Sequence, residues 1–168
     1  MEKFSLWLMP AGEVSERLSA IIRHLSSRYG APEFPPHVTL LGSFPGRSRE
    51  LTEPCAMIAA SLRPFVVRLG EIGCLEEYFR CLFVRAALDG PLRHAYRSAC
   101  RALGDKRRKA FLPHLSLLYG IYPPSVKQQI IAEVGPRLDL QFRVRSLHLY
   151  RTQNDPPQWR EVARFSLK

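Results

Sequence analysis

Two stretches of the sequence are built alike: residues 34–42 read FPPHVTLLG and residues 111–120 read FLPHLSLLYG. Each contains a proline, a histidine, a hydroxyl residue two positions after the histidine, and flanking aliphatic residues. The second histidine, His114, follows the first, His37, by 77 residues (114 minus 37). The predicted strands and helices around them repeat at the same offset, which is typical of a duplicated unit. The two copies are expected to face each other across one cleft.

The polar residues of the two motifs should share one face of their strands. Side chains two apart on a β-strand point the same way, so His37 and Thr39 are expected together, and so are His114 and Ser116. The aliphatic residues between them then face a core. A single His-x-Ser/Thr match is common by chance. Two matches in equal strand contexts at the repeat offset favour a paired site over buried structural histidines.

Hydrophobic periodicity predicts the order β-α-β-α-β at the start of the chain and a similar order after it. The predicted strands cover residues 4–8, 37–44, 65–69, 81–85, 115–119, 138–150 and 162–167, and the predicted helices cover 14–25, a segment begun near Thr52 and Pro54, 92–103 and 126–134. No low-complexity segment separates the halves, so residues 1–168 should form a single domain.

The composition is that of an ordinary globular domain, with 168 residues of which 46% are hydrophobic and 24% charged, and it excludes disorder. No apolar run approaches the roughly 20 residues needed to cross a bilayer. The opening segment is too short for a signal-peptide core. We therefore expect a cytoplasmic protein with no membrane partner.

The cysteines form no Cys-x-x-Cys pair and are expected to be reduced and buried, without zinc: Cys55, Cys74, Cys81 and Cys100.

The chain carries 25 basic and 15 acidic residues, a formal net charge of +10. The electric field of a protein with this net positive charge attracts anions, and phosphates are the expected partners. Most of the basic residues are arginines, whose planar guanidinium matches the geometry of a phosphate. The densest run, Lys106-Arg107-Arg108-Lys109, is either a solvated surface or a holder of the outer phosphates of a nucleotide.

Two imidazoles and two hydroxyls around one small space suit hydrolysis at phosphorus. One neutral histidine can take a proton from water while the other, protonated, gives a proton to the departing oxygen. Thr39 and Ser116 would donate hydrogen bonds to the non-bridging oxygens. This chemistry requires neither a metal ion nor a cofactor. The pseudo-symmetry leaves open which histidine is the base and which is the acid.

With these motifs the sequence resembles the two-histidine (2H) phosphoesterases, whose hallmark is a pair of His-x-Thr/Ser motifs on opposed lobes. The opening SLWLMP at residues 5–10, the LYG at residues 118–120 and the total length look most like the cyclic phosphodiesterases of plants and yeast. The resemblance implies metal-independent opening of nucleoside 2′,3′-cyclic phosphates to 2′-phosphates. It also implies opening of ADP-ribose 1″,2″-cyclic phosphate to ADP-ribose 1″-phosphate.

The resemblance further implies an α+β fold, with duplicated β-α-β-α-β units whose antiparallel sheets face each other across a central cleft and whose helices lie outside. The terminal lobe would take about residues 1–62 and 138–168, and the inner lobe about residues 63–137. Carried over to this sequence, the family pattern makes His37 and His114 the acid-base pair and Thr39 and Ser116 the phosphate holders. It makes Tyr119 an aromatic contact to the base.

Aromatic residues near the motifs are candidates for stacking on a nucleotide base. Trp7, on the cleft face of the first strand, either touches substrate or forms a buried wall. Phe79, in a predicted turn, either covers the site or anchors the turn. Strand alternation alone sends Tyr119 away from the cleft, so a twist near Gly120 would be needed. Trp159 is expected to pack the last strand onto the sheet, and the loop at residues 152–155 could form a rim.

Three functions are compatible with the sequence. The leading one is a cyclic phosphodiesterase acting as a monomer on a small nucleotide that carries a cyclic phosphate. An alternative keeps the site but acts on RNA ends, as a 2′,3′-cyclic phosphodiesterase or a 2′-5′ RNA ligase-like enzyme. The third is a nucleotide-binding module that has the cleft but no activity.

Overall fold

Eight strands and four α-helices make up the computed structural model, which describes residues 1–106 and 110–168. The strands are β1 (Glu2–Leu8), β2 (Val38–Gly46), β3 (Phe65–Gly73), β4 (Leu82–Ala86), β5 (His114–Leu118), β6 (Gln141–Val144), β7 (Ser146–Arg151) and β8 (Arg160–Ser166). The helices are α1 (Gly12–Tyr29), α2 (Ser48–Ala60), α3 (Gly90–Ala102) and α4 (Pro124–Val134). Of the basic run at 106–109, all but Lys106 lies outside the described residues.

The strands form one antiparallel arrangement in the order β6-β3-β4-β5-β2-β1-β7-β8. The predicted α+β class and the duplicated antiparallel architecture are confirmed. The two central strands, β2 and β5, are paired at Val38 and Leu115. Both of these side chains are fully buried in the core, as the strand pattern predicts. This central pair joins the half that contains the first motif to the half that contains the second.

Helix ends follow ordinary capping chemistry. At the start of α3 the Asp89 side chain accepts a hydrogen bond from the Leu92 N–H at 3.1 Å, and Pro91 lies in the first turn, where its missing N–H costs nothing. Helix α1 ends at Gly30, whose φ of 64° is the left-handed conformation that glycine adopts without strain. Within the described ranges, no helix has both the length and the apolar character that crossing a membrane requires.

The predicted start of the second helix is wrong. The helix begins at Ser48 rather than near Thr52, and it contains Pro54 in its interior. An interior proline removes one helical hydrogen bond. Packing compensates, because residues spaced as on one helix face, Leu51, Cys55 and Ile58, are buried in the core.

The predicted strand from Leu138 to Tyr150 is also wrong, because it is divided into β6 and β7 at Arg145. In β6 the inward side chains have even numbers, Phe142 and Val144, whereas in β7 the fully buried leucines are at 147 and 149. One straight strand cannot bury both sets, since its side chains alternate strictly. Strand β6 pairs with β3, whereas β7 pairs with β1 and β8 pairs with β7, so β6 lies in the other half of the sheet from β7 and β8.

Candidate active site

The central strand pair brings the two motifs together. Because Val38 is paired with Leu115 and both face the core, the residues on either side of each turn to the opposite face. Extending the antiparallel register by one residue each way matches His37 with Ser116 and Thr39 with His114. All four of these side chains line one cleft of about 440 Å³.

The two histidines make the same backbone contact. Nδ1 of His37 donates to the carbonyl oxygen of Pro35 at 2.7 Å, and Nδ1 of His114 donates to the carbonyl oxygen of Leu112 at 2.7 Å. A carbonyl oxygen can only accept, so in both rings the proton is on Nδ1. In each neutral ring Nε2 is then the nitrogen with a free lone pair. Each copy of the motif therefore holds its imidazole in the same tautomer.

Burial lowers the pKa of both imidazoles. His37 is 6% exposed, and burial lowers its pKa from 6.5 to about 4, with a further lowering from His114 and an opposing effect of the bond to Pro35. Burial also lowers the pKa of His114, opposed by the bond to Leu112, and the positive charge of Arg80 lowers it further. At neutral pH both rings are neutral, so each is able to accept a proton.

Trp7 fixes the plane of the first histidine. Its indole is 1% exposed and lies between two rings, stacked on His37 at 3.6 Å and on Tyr150 at 3.9 Å between ring centroids. Both faces of the indole are thereby covered, so only its edge is available to a ligand. The counterpart in the other half is Phe83, 5.0 Å from His114, which sequence reasoning missed.

The hydroxyls of the motifs differ in their partners. Ser116 is 6% exposed, and its Oγ donates to the backbone carbonyl of Phe79 at 2.9 Å. It has to turn away from that carbonyl to donate to a ligand. Thr39 is half-buried, and a Cβ placed at Gly42 would lie 3.1 Å from its Cγ2. The glycine gives the threonine methyl room beside the cleft.

Tyr119 lines the cleft although strand alternation sends it away. Strand β5 ends at Leu118, one residue earlier, so the alternation no longer applies. Gly120 follows with a φ of 145°, which turns the backbone. The Tyr119 ring is 3% exposed and is stacked on Phe34 at 3.8 Å. Burial raises the pKa of its hydroxyl, which therefore stays protonated.

Two further aromatic residues stand at the mouth of the cleft. Phe79 is 51% exposed and lies 5.1 Å from Tyr119. Trp159 also lines the cleft, 6.1 Å from Phe79, with its Nε1 donating to the carbonyl oxygen of Asn154 at 3.1 Å. Trp159, expected to pack the last strand onto the sheet, directly precedes β8 and packs edge-on against Trp7 of β1 at 5.6 Å, so its ring meets the sheet at the cleft. The rim predicted at residues 152–155 contributes Thr152, Gln153 and Asn154.

Arg80 is a cation of the cleft that sequence reasoning missed. It lies beside Phe79 and is held by Glu77, to which its Nε donates at 2.9 Å and its Nη2 at 2.8 Å. Nη1 makes no hydrogen bond to any residue of the described ranges, so it can bind a ligand oxygen. The only signal in the sequence was a basic residue next to a turn aromatic, which by itself predicts little.

A buried lysine anchors the loop that carries these residues. Lys127 of α4 is 2% exposed, and its Nζ donates to the carbonyl oxygen of Leu75 at 3.2 Å and pairs with the carboxylate of Glu76. A buried ammonium needs such partners, so the loop is tied to α4 at this point. The loop continues directly into Phe79 and Arg80.

The remaining histidines and cysteines do not line the cleft. His94 is exposed on α3, whereas His148 is buried and is hydrogen-bonded to Ser146 and Glu161. All four cysteines are free thiols, of which Cys74 and Cys100 are only partly buried.

The family model of the 2′-5′ RNA ligase superfamily matches residues 10–156. A cyclic phosphodiesterase of Arabidopsis thaliana is 24% identical over 167 residues, which cover 95% of this chain and 92% of the relative. An RNA 2′,3′-cyclic phosphodiesterase of Geobacillus stearothermophilus is 30% identical over 142 residues, which cover 78% of this chain and 45% of the relative.

Solved structures share the fold. A protein of Thermus thermophilus, TT0787, superposes with a TM-score of 0.68 at 21% identity, covering 98% of this chain and 97% of that one. LigT of E. coli complexed with 3′-AMP superposes with a TM-score of 0.63 at 15% identity, covering 99% and 98%.

Proposed function

The chain belongs to the 2′-5′ RNA ligase superfamily of two-histidine phosphoesterases, and on that premise we propose that it hydrolyses the cyclic phosphodiester of a nucleotide by acid-base catalysis. The observation that carries the proposal is the pair of imidazoles in one cleft, each with Nδ1 bound to a backbone carbonyl and Nε2 left free. The products would be a nucleoside 2′-phosphate from a 2′,3′-cyclic phosphate and ADP-ribose 1″-phosphate from ADP-ribose 1″,2″-cyclic phosphate.

We assign the base to His37 and the acid to His114. The low pKa of His37 keeps it neutral and able to accept a proton from the attacking water. The water oxygen forms the new bond to phosphorus, and the bond from phosphorus to the 3′-oxygen breaks. His114 is more exposed than His37 and takes up a proton from solvent more readily. It gives this proton to the departing 3′-oxygen.

Three groups would hold the phosphate. Thr39 and Ser116 would donate hydrogen bonds to the non-bridging oxygens, and Arg80 would supply positive charge through its free Nη1. The mechanism uses no metal ion.

The aromatic residues would hold the base. The exposed ring of Phe79 and the half-buried ring of Trp159 stand at the mouth, and Tyr119 forms the wall behind them. Trp7 would touch substrate only by its edge.

We also propose that the cleft separates two lobes, about residues 1–62 with 138–168 and about 63–137, with β6 moved to the inner lobe because it pairs with β3. A monomeric state and a cytoplasmic location remain predictions.

An RNA end is the second candidate substrate. The net charge of +10 favours it, and one relative is named an RNA 2′,3′-cyclic phosphodiesterase. A nucleotide-binding module without activity is the third candidate, for which the cleft offers no specific support.

Phosphorus NMR in excess chelator tests the proposal. The substrates are 2′,3′-cyclic AMP, ADP-ribose 1″,2″-cyclic phosphate and a short RNA that ends in a 2′,3′-cyclic phosphate. We expect 2′-phosphate products from cyclic AMP and the RNA, and ADP-ribose 1″-phosphate from the third substrate. Turnover should be almost lost in His37→Ala and in His114→Ala and normal in the control His94→Ala. Turnover of none of the three substrates, or full activity of either cleft variant, would overturn the proposal.

A further inference from the structure

The outer face of α3 carries a row of three arginines. Arg93, Arg97 and Arg101 are four residues apart, so their Cα atoms lie about 6 Å from each other along the helix. All three side chains are exposed. None forms an ion pair with a carboxylate of the described ranges, and α3 contains no acidic residue.

This row has no structural explanation in the fold. Like charges four residues apart destabilise a helix, and Arg93 also lies near the positive end of the helix dipole. On α1, by contrast, Arg23 faces Glu33 and Arg28 faces Glu133. An arginine row left without compensation points to a negatively charged partner outside the chain.

Two further arginines connect the row to the catalytic cleft. Arg85 of β4 lies directly opposite His114 in the strand register. Arg68 of β3 lies beside it, and the two arginines line one surface concavity of about 640 Å³. The Arg68 guanidinium bonds Asp89, the residue that caps α3. Helix α3 begins directly after Asp89 and carries the row of three arginines.

We propose that these five residues form an arginine track that binds the sugar-phosphate backbone of an RNA strand whose cyclic phosphate end lies in the cleft: Arg85, Arg68, Arg93, Arg97 and Arg101. The inference rests on the proposed function, whose substrate it narrows to an RNA end. The spacing of the row is comparable to that of successive phosphates in one strand. Arginine binds phosphate through paired N–H groups, which fits this role.

A membrane surface fits α3 less well. An interfacial helix inserts its apolar face, whereas the apolar residues of α3 are already buried in the core: Leu92, Ala95 and Ala99. A backbone-binding role also needs no base contacts, and all five residues of the track are arginines.

The test is RNA binding measured by fluorescence anisotropy at several salt concentrations. The probe is a labelled single-stranded RNA of 12 nucleotides that ends in a 2′-phosphate, the product form, so no turnover occurs. The variant is Arg93→Gln, Arg97→Gln and Arg101→Gln together. The control removes the same charge at three arginines that have glutamate partners, Arg23, Arg28 and Arg47, each changed to Gln.

We expect the affinity of the track variant to fall roughly tenfold or more, and the slope of log K against log salt to become shallower by about 2, or about 0.7 per lost phosphate contact. The control should change far less. Turnover of 2′,3′-cyclic AMP should be unaffected in both proteins, which also shows that both are folded. Affinity should rise with RNA length up to several nucleotides and then level off.

Equal losses of RNA affinity in the track variant and in the control, or an unchanged salt slope in the track variant, would overturn the proposal that the track binds RNA. So would binding of the protein to anionic vesicles of phosphatidylserine and phosphatidylcholine in place of RNA. The proposed function has its own test in the turnover of the three cyclic phosphate substrates by the wild type. Active enzyme with unchanged RNA binding in the variant refutes the track alone, and loss of all turnover by the wild type refutes the function.

Discussion

Acidification is expected to destabilise this protein through His37. Burial lowers the pKa of this imidazole from 6.5 to about 4 in the folded protein, whereas in the unfolded chain it titrates near 6.5. Between these two pH values the unfolded chain binds a proton that the folded protein does not. The free energy of unfolding therefore falls as the pH falls through this window.

The expected loss is about 3 kcal/mol, from a pKa difference of about 2.5 units at about 1.36 kcal/mol per unit. It is absent above pH 6.5 and complete below pH 4. A domain of this size is stable by about 5–15 kcal/mol in all, so this single proton removes a substantial share.

Urea unfolding followed by far-UV circular dichroism, at half-unit steps from pH 4 to 8, measures this loss. His37→Gln does not titrate, so the difference in unfolding free energy between wild type and variant should change by about 3 kcal/mol across the window. The control, His94→Gln, replaces an exposed histidine and should run parallel to the wild type. Parallel curves for wild type and His37→Gln would refute the idea that burial holds His37 neutral.

Three further outcomes are expected. A substrate whose 3′-oxygen is replaced by sulfur has a leaving group that needs no acid. With it, the loss of single-turnover rate in His114→Ala should shrink from about 10²–10⁴-fold to below about tenfold, while His37→Ala stays inactive. The reverse pattern would exchange the two roles. Arg80→Met should raise KM about tenfold, because a phosphate contact is lost, and should raise the upper pKa of the pH-rate profile, because a positive charge near His114 is removed. The control Arg47→Met should leave both unchanged. An unchanged KM in Arg80→Met would contradict the phosphate contact. Trp7→Leu should lower kcat about tenfold or more with little change in KM, because the indole orients the His37 imidazole and has no free face for a nucleotide base. A rise in KM alone would show that Trp7 binds substrate instead.

The central part of the site could be predicted because it depends on local rules. Strand alternation and one repeat offset are enough to bring His37, Thr39, His114 and Ser116 to a common face. Alternation acts within a few residues of each motif, and the offset of 77 residues can be read directly from the sequence. The paired backbone carbonyls could not be foreseen, because they depend on the path of the irregular segment before each strand.

Residues beyond the motif strands were harder to place, for different physical reasons. Strand alternation alone sends Tyr119 to the opposite face, and only the family resemblance kept it among the candidates, because alternation does not show that β5 ends at Leu118 and that the backbone turns at Gly120. Trp159 and Arg80 reach the cleft from loops, whose paths no periodicity specifies. The division of β6 from β7 was visible in the sequence as a switch of buried positions from even to odd numbers, a signal that a search for long apolar strands overlooks.

The acceptors that orient the two imidazoles are main-chain oxygens, one from a proline and one from a leucine. Every amino acid has such an oxygen, so substitution at Pro35 or Leu112 exchanges a side chain without deleting the acceptor. Only a change in the path of the backbone can release either ring. The orientation of the histidines is in this respect protected from most point mutations.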